Sequence, residues 1–148
     1  MKVDFWLLSR DPAERVVAMI AERVLGDGGR VLVVSEDAAQ RDALDAALWE
    51  GKPEAFLAHG TAGGEHDARQ PILISDACAA PNTASACILA DGTWRSETLE
   101  SGAFERVFLL FDDSGRGAAR TAWREVSTRE GLERSFYEQR EGRWVKVA

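Results

Sequence analysis

With 148 residues, 45% of them apolar and 29% charged, the chain fits one globular domain spanning residues 1–148. No segment approaches the roughly 18 consecutive apolar residues of a membrane span. The formal charge of −7 argues against the whole surface serving as a nucleic-acid platform. That charge is unevenly placed. From Ser114 onward there are eight Arg and Lys against five Glu, a net of +3, so residues 1–113 hold −10. An acidic body with a basic C-terminal segment points to one localised anion-binding surface.

The N-terminal string MKVDFWLLSRD interrupts its apolar run with Asp4 and lacks a small-residue cleavage site. It reads as a strand over Val3–Ser9 and not as a signal peptide, which makes the cytoplasm the expected compartment. Asp11 and Pro12 supply an N-cap and a first helical position, and Ala13–Leu25 places Val16, Val17, Ile20, Val24 and Leu25 on one helical face. Gly26, Gly28 and Gly29 stop that helix. Arg30–Ser35 is a β-branched run, and Ser35-Glu36-Asp37 offers a cap for a second helix over Ala38–Leu48. A loop follows from His59 to Gln70. Pro71–Ser75, Ser85–Leu89 and Gly102–Phe111 read as further strands, with the turn-rich Ala79-Ala80-Pro81-Asn82 between the first two. A third helix over Gly115–Glu130 ends near Gly131. Glu133–Gln139 and Arg143–Val147 form a hairpin around Glu141-Gly142. The alternation implies a three-layer α/β/α domain, a Rossmann-like, largely parallel mixed sheet without a nucleotide-binding loop.

The chemistry of enzymes has no anchor here. There is no GxxxxGK[ST] phosphate loop and no GxSxG elbow. Gly26-Asp27-Gly28-Gly29 follows a helix and precedes a strand, whereas anions bind at helix N-termini. His59 and His66 lie seven residues apart on a loop, without the short paired spacing of a zinc site, so no metal or other cofactor is expected. Asp112-Asp113 and Glu36-Asp37 follow strands, and helix capping accounts for both pairs better than Mg²⁺ binding. Cys78 and Cys87 lack CxxC spacing and read as reduced, buried thiols.

One constellation stands out. Arg116, Arg120, Trp123 and Arg124 fall at i, i+4, i+7 and i+8 of the third helix and share one face. Three guanidinium groups around an indole suit an anionic ligand with an apolar end group. On spacing alone the commoner reading is a solvated helix face whose Trp points into the core.

The chain as a whole resembles the chi subunit family of bacterial DNA polymerase III. The resemblance is carried by Phe5-Trp6-Leu7-Leu8; by Gly29-Arg30-Val31-Leu32-Val33 with Glu36-Asp37, Leu44-Asp45 and Ala47-Leu48-Trp49; and by Phe56-Leu57-Ala58-His59 with Gly63 and Glu65. Phe104-Glu105-Arg106-Val107, Phe111-Asp112, Ala119-Arg120 and Trp123-Arg124 complete it in order. Pro81-Asn82-Thr83-Ala84-Ser85 departs from the family in carrying no base. The resemblance implies a non-catalytic adaptor that links the clamp loader to single-stranded-DNA-binding protein by gripping its acidic, Phe-terminated C-terminal tail. It assigns the tail site to Arg116, Arg120, Trp123 and Arg124, with Phe111 beside the apolar pocket. It also implies contact with a psi subunit or another clamp-loader component through Trp49 and Phe56, and only indirect contact with DNA. The reading from another class is direct single-stranded nucleic-acid binding through the basic C-terminal segment.

Overall fold

The computed structural model of the chain describes residues 1–50 and 58–148. The opening follows the expected order: β1 (Lys2–Leu7), α1 (Ala13–Gly26), β2 (Val31–Val34) and α2 (Ala38–Trp49). Then come β3 (His59–Thr61), β4 (Ile72–Ser75), β5 (Ala86–Leu89), α3 (Glu97–Glu100) and β6 (Arg106–Phe111). The chain closes with α4 (Arg116–Ser127), β7 (Glu133–Arg140) and β8 (Arg143–Lys146).

The eight strands of the described residues join one sheet in the order β3-β4-β2-β5-β6-β1-β7-β8. Every pairing is parallel except β7 with β8. The central strands VLVV, ILIS and RVFLLF are almost unbroken apolar runs because both faces of a parallel sheet are covered. Alternation along each strand sends Trp6, Val31, Val33, Ile72, Ile74, Ile88, Phe108 and Leu110 to one face, under Val16, Val17 and Ile20 of α1 and Leu44 and Leu48 of α2. Val3, Phe5, Leu7, Leu32, Leu73, Leu89, Val107 and Leu109 point the other way, under Ala119, Ala122 and Val126 of α4. This is the three-layer, largely parallel α/β/α arrangement the sequence implies.

Several boundaries differ, each for a local reason. Pro12, not Asp11, occupies the N-cap of α1 and makes no side-chain cap bond; the Asp11 carboxylate instead accepts from the Gln139 side-chain amide at 2.7 Å. α4 ends at Ser127 and not at Glu130. The hydroxyls of Ser127 and Thr128 donate to the carbonyls of Arg124 (2.6 Å) and Glu125 (2.7 Å), which competes with continuation of the helix. Within the expected His59–Gln70 loop lies β3, too short to leave a pattern. The hairpin turns on Glu141 and Gly142, both at positive φ (51° and 78°), the conformation a two-residue turn between right-twisted strands demands. Asp37 caps α2, its Oδ1 accepting from the amides of Ala39 (3.0 Å) and Gln40 (3.4 Å).

Candidate functional site

The helix α4 is short, and its inward positions are Ala119, Ala122 and Val126. Small inward residues let it lie close to the sheet, but they also leave space beside the larger aromatics of β1, β6 and β7. That space is a cavity of about 220 Å³. Phe5, Phe111, Ala119, Trp123 and Phe136 wall it, and Arg116 and Arg120 stand beside it together with Ala148. The rings pack on one another: Phe5 meets Trp123 edge-on at 5.1 Å, Phe111 lies 5.9 Å from Phe136, and Trp123 lies 6.3 Å from Phe136.

Of the α4 residues singled out by spacing, Arg116, Arg120 and Trp123 converge on this cavity, and Phe111 joins them from β6. Arg124 is exposed one turn further along and does not line it. Trp123 is half-buried, neither pointing wholly into the core nor standing free. The rim charges are not equivalent. The Nε of Arg116 is bound to Asp113 Oδ1 at 2.6 Å, whereas Arg120 has no carboxylate partner among the described residues. An apolar cavity with one committed and one available guanidinium at its mouth is suited to an apolar group carried next to an anion.

Spacing along α4 does not reveal Phe5, Ala119 or Phe136, nor the groups that hold the helix in place. Glu125 accepts from the Trp94 indole N–H and from the Ser96 hydroxyl at 2.8 Å, which ties α4 to the loop before α3. Trp94 in turn stacks on Phe5 at 6.2 Å. The indole first, and then Ser96, hold the Glu125 carboxyl below its ordinary pKa of 4.5. The stabilisation from this contact is therefore complete above 4.5 and is lost as pH falls through the lower folded value. We expect Glu125→Gln to unfold about 1 kcal/mol more easily at neutral pH and to lose less stability than wild type on acidification to about pH 3, as read by urea unfolding at both pH values.

The other flagged residues are separate from this cavity. Trp49, at the end of α2, is 61% exposed, and its ring lies 4.7 Å from that of His59. Phe56 lies outside the described residues. His59 is buried, with Nε2 2.9 Å from Asp45 Oδ1, and His66 is exposed. Among the described residues no group of three His, Cys, Asp or Glu side chains is placed to hold a metal ion, and no helix is long and apolar enough to cross a membrane. Cys78 and Cys87 are both free thiols, the first half-buried and the second buried. Burial, aided by Glu97, pushes Cys78 up to about 11, and burial also raises Cys87, so neither is a reactive thiolate at neutral pH. Asp112 does not cap α4: its Oδ1 accepts from the Ser114 hydroxyl at 2.5 Å, and that bond, with backbone amides, holds its carboxyl low.

A larger hollow of about 560 Å³ sits at the carboxyl ends of β1, β5 and β6, where open α/β sheets commonly take ligands. Among the described residues Asp11, Glu14, Asp91 and Asp112 line it, with Arg10 as the only base. Such a lining repels phosphates. The glycines after α1 lie at that helix's C-terminus, where the Gly29 amide donates to Val24 O at 2.9 Å.

A family model described as DNA polymerase III chi subunit, HolC, matches residues 1–133. Over 76 residues the chain is 38% identical to the DNA polymerase III subunit chi of Pseudomonas aeruginosa, covering 49% of this chain and 52% of that protein. It is 35% identical over 78 residues to the DNA polymerase III subunit chi of Escherichia coli, covering 48% and 53%. A probable DNA polymerase III subunit chi of Rickettsia prowazekii is 24% identical over 94 residues, covering 64% and 57%. The chain spans about half the length of the curated relatives it matches. A family match over residues 1–133, on a chain with this sheet and this cavity, places the protein in the DNA polymerase III chi subunit family.

Proposed function

We propose that this protein is a non-catalytic adaptor of the DNA polymerase III holoenzyme that links the clamp loader to single-stranded-DNA-binding protein. It does so by gripping that protein's acidic, Phe-terminated C-terminal tail. The observation that carries the reading is the cavity of about 220 Å³ walled by Phe5, Phe111, Trp123 and Phe136, with Arg116 and Arg120 at its mouth. The terminal Phe ring enters between the aromatic walls. The chain-end carboxylate meets the Arg120 guanidinium, and acidic residues upstream run toward the exposed Arg124. Burying one Phe side chain contributes about 1.5–3 kcal/mol, and each charge-assisted hydrogen bond about as much again. After the cost of ordering a flexible tail, an affinity in the micromolar range, about −8 kcal/mol, is expected.

The exposed Trp49 at the end of α2 fits contact with a second partner, a psi subunit or another clamp-loader component. The tail cavity and Trp49 are built on opposite faces of the sheet, α4 on one and α2 on the other, so both partners can be held at once. This role places the protein in the cytoplasm and brings it to DNA only through its partners.

The test is a titration of a fluorescent acidic peptide ending in Phe, at rising salt, beside an oligonucleotide of mixed sequence. Saturable peptide binding that weakens with salt, with no oligonucleotide binding, supports the adaptor. Oligonucleotide binding without peptide binding would replace it with direct nucleic-acid recognition.

A further inference from the structure

We propose that Arg134 is a positioning residue for the cavity, and that by fixing the Trp123 indole it sets the preference for an aromatic end group. The inference rests on the tail-binding reading above. Arg134 and Phe136 sit two residues apart on β7, in register with Val3 and Phe5 of β1, so both project toward α4. The Arg134 guanidinium carbon lies 4.2 Å from the centre of the Trp123 ring, and its Nη1 donates to the Trp123 carbonyl oxygen at 2.7 Å. One side chain thus holds the same tryptophan twice, by its backbone and over its ring.

Arg134 is not among the residues that line the cavity, whereas Trp123 is. Its charge is therefore laid on the tryptophan and does not stand with Arg116 and Arg120 at the cavity. Among the described residues it has no carboxylate partner that would explain its pose, so the contact with Trp123 accounts for it. Among the described residues the other ring contacts of the half-buried indole are edge-on, with centroids 5.1 Å from Phe5 and 6.3 Å from Phe136, and neither holds it as the guanidinium does, by its ring and its backbone together. A wall that is already fixed spares the ligand the cost of ordering it. Loss of Arg134 should accordingly weaken the apolar part of recognition and leave the charge-dependent part, carried by Arg116, Arg120 and Arg124, as it was.

The experiment compares two probes, an acidic peptide ending in Phe and the same peptide ending in Ala, on the full chain as wild type, Arg134→Ala and Arg134→Lys. Arg134→Gln is a further variant that keeps a donor for the Trp123 carbonyl without the stacked cation. Thermal unfolding establishes that each variant is folded. The wild type should prefer the Phe peptide by at least about tenfold. Arg134→Ala should reduce that preference by about three- to tenfold, with the Ala-ended peptide and the salt dependence unchanged, and Arg134→Lys should restore part of it. If Arg134→Ala does not fold, Arg134→Gln carries the same expectation. An unchanged preference in a folded variant overturns the proposal. Equal weakening of both peptides with a shallower salt dependence also overturns it, because Arg134 would then touch the anion itself. Failure of the wild type to bind either peptide removes the tail reading, a result that does not depend on any Arg134 variant.

Discussion

Arg120→Glu should lower affinity for the acidic, Phe-ended peptide by about a hundredfold at low salt while leaving the melting temperature almost unchanged. Arg120 is exposed on α4, stands at the mouth of the cavity, and has no carboxylate partner among the described residues. Its replacement removes a charge-assisted hydrogen bond worth about 1.5–3 kcal/mol and adds repulsion of the tail's own carboxylates. Exposed substitutions of this kind move folding stability by only about 0.5 kcal/mol. The difference from wild type should narrow as salt rises. Arg116→Glu should cost less, because Arg116 already spends its Nε on Asp113 at 2.6 Å. Fluorescence anisotropy with one labelled peptide on all three proteins checks the ranking. Equal losses at the two positions would mean that the ligand does not approach from the Arg120 side.

The second large effect concerns stability. Asp4 on β1 is fully buried, and its Oδ2 accepts from Arg106 on β6, through Nε at 2.9 Å and through Nη2. Among the described residues its Oδ1 has no hydrogen-bond partner, and Lys2 Nζ is 3.9 Å away. Arg106 remains 40% exposed and rests on the Phe108 ring at 4.7 Å, so it keeps solvent while neutralising the carboxylate beneath it. Arg106→Leu would leave a buried carboxylate with only the distant Lys2, and we expect a loss of about 3 kcal/mol in urea unfolding. Replacing both partners, Asp4→Leu with Arg106→Leu, should recover most of that loss, because no charge is then left stranded. Additive losses in the double variant would contradict this account.

How much of this was legible in the sequence differs between fold and site. The apolar runs that became β2, β4 and β6 announced buried parallel strands, because a strand covered on both faces must be apolar throughout. Helix ends were less legible. The carbonyls at the end of α4 are taken by Ser127 and Thr128, a local competition that a Gly at position 131 gives no hint of. β3 has three residues and no periodicity to detect. For the site, the 3.6-residue repeat groups Arg116, Arg120, Trp123 and Arg124 on one face of α4 but does not say that Arg124 lies beyond the cavity. The walls were hidden for a different reason. Phe5 and Phe136 are neighbours only because β1 and β7 pair in parallel, at opposite ends of the chain. Arg134 reaches Trp123 by the same pairing, which no local pattern encodes.

The most direct test of the central claim is a nuclear magnetic resonance titration of the labelled protein with the acidic, Phe-ended peptide, following its five tryptophan indoles and its backbone amides. The account predicts saturable shifts for the Trp123 indole and for the amides of Phe111, Ala119, Arg120 and Phe136, with the Trp49 indole unmoved. Shifts gathered around Trp49, or a spectrum unchanged at saturating peptide, would contradict it.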